Sequence, residues 1–221
     1  YSREELSALA EVCIRRDIGV VSDEIYEKLV YAGAEHVSIA SLAPDLFCVT
    51  FNGLSKSHMV AGFRLGWMVL SGNKEIAKDY IDGLVLLSSM RLCSNVPAQS
   101  VVKTALDCID STKEYLCPGG RIYEQRECIY NALKAIPGIS VVKPKAAFYI
   151  FPKLDTERFH ITDDEQFALD LLREKKILIV NGSGFNWPNP DHFRIVYLPD
   201  VELLKTATDR LADFLSTYRQ K

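Results

Sequence analysis

Two β-rich runs constrain what this chain can fold into more than anything else in it: Asp17-Ile-Gly-Val-Val-Ser22 and Leu46-Phe-Cys-Val-Thr-Phe51. Each is short, apolar and β-branched enough to read as a strand, and each runs out into polar and small residues. The first continues as Asp23-Glu-Ile-Tyr26. The second continues as Asn52-Gly-Leu-Ser-Lys56, then Gly62-Phe-Arg64-Leu-Gly-Trp67. A helix precedes the first strand. Ser2-Arg-Glu-Glu5 has the spacing of a capping box, and Leu6, Leu9, Ala10 and Cys13 recur on one face until about Arg16. With a third strand expected at residues 66–70, the pattern is that of an α/β domain. Open α/β sheets bind ligands beyond the C-terminal ends of their strands, which is where Asp23 and Lys56 stand.

The rest of the chain changes character part-way. Ile76, Tyr80, Leu84 and Leu87 predict a helix over 73–90, which Ser94-Asn-Val-Pro97 breaks. A second helix is predicted from Pro97 to about Cys108, with the proline in its first turn. Residues 112–135 read as mostly helical after a Pro118-Gly-Gly interruption, and Pro137-Gly138 closes them. Strands at 139–142, 147–151, 177–180 and 193–198 then alternate with helices at 163–174 and 201–218. That is a compact α+β unit with a small sheet of its own. A chain of 221 residues accommodates one large or two small domains. The boundary is expected within 109–120, giving domains of residues 1–115 and 116–221.

Composition removes several classes of function. At 48% apolar and 25% charged residues the chain is globular. A net charge of −3 offers no basic balance for nucleic acid or an anionic membrane. No apolar run approaches the roughly 20 residues of a spanning helix. The six cysteines form no Cys-x-x-Cys pair and the four histidines are scattered. Reduced thiols packed as small hydrophobes are expected, in a reducing, cytoplasmic compartment, with no metal site. The chain starts at Tyr1 and not at Met, so it is expected to begin inside a longer protein.

The chemistry sits in the two strand-end segments. A lysine amine forms a Schiff base with an aldehyde. A lone loop lysine is usually a solvated charge, but Lys56 is surrounded by Gly53, Ser55, Ser57 and Gly62, which permit close approach of a ligand. Arg64 stands in an apolar context, Phe63 and Leu65 to either side, where a buried guanidinium needs a partner and a phosphate fits its fork of donors. Asp23 reads either as a helix N-cap or as the carboxylate that keeps a pyridinium nitrogen protonated. Tyr26 would reach a 3′ oxygen. Together these residues read as half of a pyridoxal phosphate (PLP) site.

In these motifs the chain resembles the class I/II aminotransferases of PLP fold type I. Further matches follow in order: Ser94-Asn-Val-Pro-Ala-Gln99, Pro144-Lys-Ala-Ala-Phe-Tyr149-Ile-Phe-Pro152 and His192-Phe-Arg194-Ile. Met90-Arg-Leu-Cys-Ser-Asn-Val-Pro97, Pro118-Gly-Gly-Arg-Ile-Tyr-Glu-Gln125 and Phe185-Asn-Trp-Pro-Asn-Pro-Asp-His192 resemble the glutamate–pyruvate (alanine) aminotransferases in particular. The resemblance implies the C-terminal part of a large, mostly parallel-sheet PLP-binding domain, followed by a smaller α+β domain. It implies Lys56 as the Schiff-base lysine and proton shuttle, Asp23 on the pyridine nitrogen, Tyr26 on O3′, Arg64 and Ser55 on the phosphate, and Arg194 on the substrate α-carboxylate. Many relatives carry a serine or threonine three positions before the lysine, where this chain has Gly53.

The expected reaction is transfer of an amino group between an amino acid and a 2-oxo acid, alanine with 2-oxoglutarate favoured, in a homodimer with Ser94-Asn95 near the partner's site. The relatives' Asn-Pro-x-Gly motif would precede Tyr1, so the chain reads as a C-terminal half that is inactive alone. The competing readings are another fold type I reaction, such as a carbon–sulfur lyase or an aminotransferase with other substrates, and a non-catalytic PLP-domain regulator module.

Overall fold

The computed structural model describes residues 1–220, with side chains described outside 109–111. The chain divides into two compact units, Tyr1–Glu114 and Tyr115–Lys221, each with its own core.

The first unit opens with helix α1, Arg3–Arg15, closed at its start by the reciprocal Ser2–Glu5 capping box that the sequence predicts. Asp17 turns the chain with φ of 51°, so strand β1 starts later than expected and covers Val20–Asp23. Helix α2, Ile39–Leu42, leads to strand β2, Cys48–Gly53. The short helix α3, Leu54–Ser57, follows at once, and strand β3 covers Gly66–Ser71. The sheet order is β1-β2-β3, with β1 parallel to β2 and β3 antiparallel to it. In this chain the sheet is therefore mixed. Ala10, Cys13, Ile39, Ala43, Leu46 and Cys48 form the core between α1, α2 and the sheet.

Helix α4, Lys78–Arg91, forms where the apolar spacing predicts it, yet none of its residues is buried. Leu86, Leu87 and Met90 are 67%, 63% and 76% exposed. Leu92, at φ of 60°, ends it. Asn95 then caps helix α5, Val96–Ser100, and a turn at Val101 separates it from helix α6, Val102–Asp107. The single helix expected here is thus two. A second core cluster of Leu54, Leu65 and Ala98, with Trp67, Val102 and Ala105 against it, seats α3 on α5 and α6.

The second unit packs helices α7, Arg121–Lys134, α9, Asp164–Lys175, and α10, Val201–Thr217, against two small sheets. Strand β4, Ile139–Ser140, pairs antiparallel with β6, Lys153–Leu154. Strand β5, Tyr149–Ile150, pairs with β8, Phe193–Val196, which also pairs with β7, Val180–Asn181. Helix α8 is one turn, Thr156–Phe159. Phe159, Phe167, Phe193, Tyr197 and Phe214 are fully buried at the centre, and Asp155, Asp163 and Asp200 cap the three helices that follow them. The strands are shorter than their apolar runs because pairing stops where a neighbour ends. Lys153–Leu154, in which a charge precedes one leucine, carries no alternating signature to predict it.

Candidate active site

Register gathers three of the chemistry-bearing residues at one end of one sheet. Asp23 pairs with Phe51 in the parallel ladder, so both strands run out in the same direction. Gly53 pairs with Gly66 in the antiparallel one, so β3 starts where β2 finishes. Lys56 stands three residues beyond Gly53 and Arg64 two residues before Gly66. The side chain of Asp23 is exposed at the strand end and accepts from the Ile25 amide at 3.2 Å. Tyr26 lies half-buried one turn on.

The lysine is held by its surroundings. Lys56 is half-buried on α3, beside the buried Ser57. The backbone of β2 passes so close to β3 that a Cβ on Gly53 would lie 2.7 Å from the Leu65 carbonyl oxygen and 3.0 Å from the Gly66 Cα. A serine or threonine at this position would require the two strands to move apart. Ser55, on the first turn of α3, is the nearby hydroxyl that remains.

Arg64 departs from the expectation of a buried guanidinium. It is exposed, at a left-handed φ of 52°. Its Nη1 donates to the Ala61 carbonyl at 2.7 Å, within its own turn. The apolar neighbours mislead because Phe63 is itself largely exposed, and only Leu65 turns inward. One of the guanidinium's five donors is used on Ala61, which leaves capacity for an anion.

Arg194, on β8 of the second unit, is half-buried. Its guanidinium lies 4.7 Å from the Tyr149 ring and 4.6 Å from the Phe185 ring. Its Nε is buried and has no hydrogen-bond partner among the described residues. Buried donors are nearly always paired, and among the described residues this one is not.

Several residues near these groups escaped the sequence reading. His58 Nε2 meets the Ala105 carbonyl at 2.7 Å and Nδ1 meets Ser57 Oγ at 2.9 Å. A carbonyl only accepts, so Nε2 carries a proton and donates to Ala105. Glu24, buried, accepts from Ser22 Oγ at 3.0 Å and pairs with His36 Nε2 at 3.2 Å. With Glu27 these groups bring ligand atoms within 4.8 Å of one another, a proximity that the hydrogen bonds of Glu24 already explain. No local signal reveals either histidine, since their partners lie 47 and 12 residues away. In the second unit, burial alone would raise the Asp191 carboxyl. Hydrogen bonds from His192, Trp187 and Lys153, with the charge of His192, hold it below its ordinary value.

The model of the aminotransferase class I and II family matches residues 1–211. The chain belongs to the class I and II aminotransferases. Family members use PLP generally. The chain is 53% identical over 220 residues to the glutamate–pyruvate aminotransferase AlaA of Escherichia coli, covering 100% of the chain and 54% of the relative. It is 49% identical to alanine aminotransferase of Mycobacterium tuberculosis, covering 51% of that protein. The crystal structure of an Escherichia coli aminotransferase superposes with a TM-score of 0.98 at 52% identity, over 100% of the chain and 55% of that one. The alanine aminotransferase of Pyrococcus furiosus superposes with a TM-score of 0.90 at 38% identity, over 98% and 54%. The fold is thus PLP fold type I, and the chain spans about half the length of the curated relatives it matches. Among the described residues no helix of this aminotransferase is long and apolar enough to cross a membrane.

Proposed function

We propose that this chain supplies the cofactor lysine and the substrate arginine of a PLP-dependent aminotransferase that exchanges an amino group between alanine and 2-oxoglutarate. The observation that carries the reading is the convergence of Asp23, Lys56 and Arg64 at one end of the β1-β2-β3 sheet. The donor set fits the cofactor group by group: a carboxylate for the pyridine nitrogen, a phenol for O3′, hydroxyl and guanidinium donors for the phosphate, an amine for the aldehyde. Bound PLP supplies an electrophilic aldehyde and a ring that draws in electrons from the substrate Cα.

The residues then divide the work. Asp23 keeps the ring nitrogen protonated, which maintains the pull on those electrons. Tyr26 donates to O3′. Ser55 and Arg64 hold the phosphate and fix the ring. Lys56 would accept the proton of the substrate Cα and hold it for return, acting as base and then as acid. Arg194 pairs with the α-carboxylate through two parallel hydrogen bonds; its orphaned Nε supports this role. Alanine and 2-oxoglutarate are favoured because the relatives at 49–54% identity are named glutamate–pyruvate or alanine aminotransferases.

The activity belongs to a chain of the relatives' full length, working as a homodimer in the cytoplasm, and the 221 residues alone turn over no substrate. The test is spectroscopic. In an enzyme of full length carrying these residues, PLP gives a visible absorbance band that Lys56→Ala abolishes. An unchanged spectrum in that variant would overturn the reading.

A further inference from the structure

The loop between β7 and β8 is tied at both ends. At its start the Gly182 amide donates to the His192 carbonyl at 2.8 Å. A Cβ at this glycine would stand 2.8 Å from the same oxygen, so only glycine allows the approach. Ser183 gives its amide and its hydroxyl to the buried Asp164 at 2.7 and 2.8 Å. At the other end Trp187 donates its indole N–H to Asp191 at 2.9 Å and its amide to the Gly182 carbonyl at 3.2 Å. The imidazole of His192 lies 2.6 Å from the same Asp191 oxygen, with its ring 4.5 Å from Trp187 and stacked on Phe151 at 4.8 Å. Between these ties the loop carries Phe185, whose ring meets Phe151 edge-on at 6.4 Å and Arg194 at 4.6 Å.

An arginine in a carboxylate site needs a fixed plane, because a bidentate pair tolerates little rotation. Tyr149 on β5 supplies one wall and Phe185 the other. Phe185 ends a single 3₁₀ turn, Gly182–Phe185, so its place depends on what pins that turn to the sheet. We propose that Asp191, His192 and Trp187 form a clamp that holds Phe185 against Arg194 and so orients the guanidinium for a carboxylate. These three are positioning residues, and the inference rests on the assignment of Arg194 as the carboxylate ligand. An exposed charged cluster would ordinarily only add solubility. Here the carboxylate is 8% exposed, it is shared by an indole and an imidazole, and it sits three residues before the arginine it serves.

The test reads the Nε–H of Arg194 by ¹⁵N NMR in the 221-residue chain. Trp187→Phe keeps the ring and removes the donor. It is expected to raise exchange of the Arg194 Nε–H with water about tenfold, the loss of one hydrogen bond to a charged group, while far-UV circular dichroism stays unchanged. Asp191→Ala should do the same, and Asp191→Asn, which still accepts from the indole, should restore protection. Unchanged exchange in both Trp187→Phe and Asp191→Ala would overturn the clamp. Titration with 2-oxoglutarate separates the clamp from the assignment beneath it. A shift of the Arg194 resonance that weakens several-fold in Trp187→Phe supports both. No shift in an enzyme of full length carrying these residues, with the exchange effects intact, would overturn the carboxylate assignment and leave the clamp as a purely structural device.

Discussion

Gly53 faces the Leu65 carbonyl across the β2–β3 pair so closely that a single added carbon would sit 2.7 Å from the oxygen. The backbone of Gly53 is extended, with φ of 173°, so the constraint is one of space and not of conformation. Gly53→Ala is therefore expected to force the two strands apart at the point where β2 hands over to the lysine-bearing turn. Overpacking of this kind costs about 1–3 kcal/mol. Urea unfolding followed by the fluorescence of Trp67, on the neighbouring strand, reads the loss; a variant as stable as the parent would refute the contact.

His58 joins the lysine-bearing turn to α6 through its two ring nitrogens. His58→Phe fills the volume but removes both bonds and leaves the buried Ser57 hydroxyl with only the Gly53 carbonyl at 3.4 Å. The expected loss is about 1–3 kcal/mol, the cost of unmaking buried polar pairs. Amide hydrogen exchange should localise it to residues 54–58 and 101–105. An even increase across the chain would show that the imidazole does not act as this tie.

How far the sequence carried the argument follows from where each signal lives. The capping box of α1, the two strand ends and the order of Asp23, Lys56 and Arg64 are local patterns, and local patterns survive in a linear reading. The antiparallel turn of β3, the Gly53–Leu65 contact and the His58–Ala105 bond join segments by pairing and burial, for which a single chain holds no marker. Arg64 illustrates the limit: its apolar neighbours suggest a buried setting, although Phe63 is exposed and only Leu65 is buried. The Trp187–Asp191–His192 cluster lay in plain sight as part of a family-like motif. The motif carries a lineage but no role, because the role depends on an arginine two residues after His192 and a phenylalanine two residues before Trp187.

Acid should act first on the carboxylates that the fold holds ionised. Asp191 is held below its ordinary value of 3.8, and Glu127 below 4.5 by hydrogen bonds and charge from Lys143 and Arg126, in both cases against the opposing effect of burial. A carboxyl whose folded value is depressed stabilises the fold above its unfolded value and loses that contribution as pH falls through the folded one. Stability is thus expected to decline below about pH 4, and Asp191→Asn should flatten that decline. Urea midpoints collected across the acid range check it; an equal slope in the variant would show that the Asp191 carboxylate contributes nothing there.

All six thiols are free, but they are not equivalent. Cys13 and Cys48 pack in the first core, and burial pushes the Cys48 thiol up, so it offers little thiolate. Cys93, Cys108 and Cys117 are exposed, contrary to the expectation that the cysteines pack as small hydrophobes. Ellman's reagent is expected to take three thiols quickly in the folded chain and the remainder on denaturation, with Cys128 intermediate. Rapid release of all six would show that the first core opens readily.

Helix α4 has consequences for the life of this polypeptide in a cell. Fourteen residues carry leucines and a methionine on a surface with no buried position, and such surfaces are what chaperones and proteases recognise in unfinished proteins. A chain of this kind competes for cover from the moment it is made. Whatever covers the leucines of α4 removes from water an apolar face of the kind that quality-control machinery recognises.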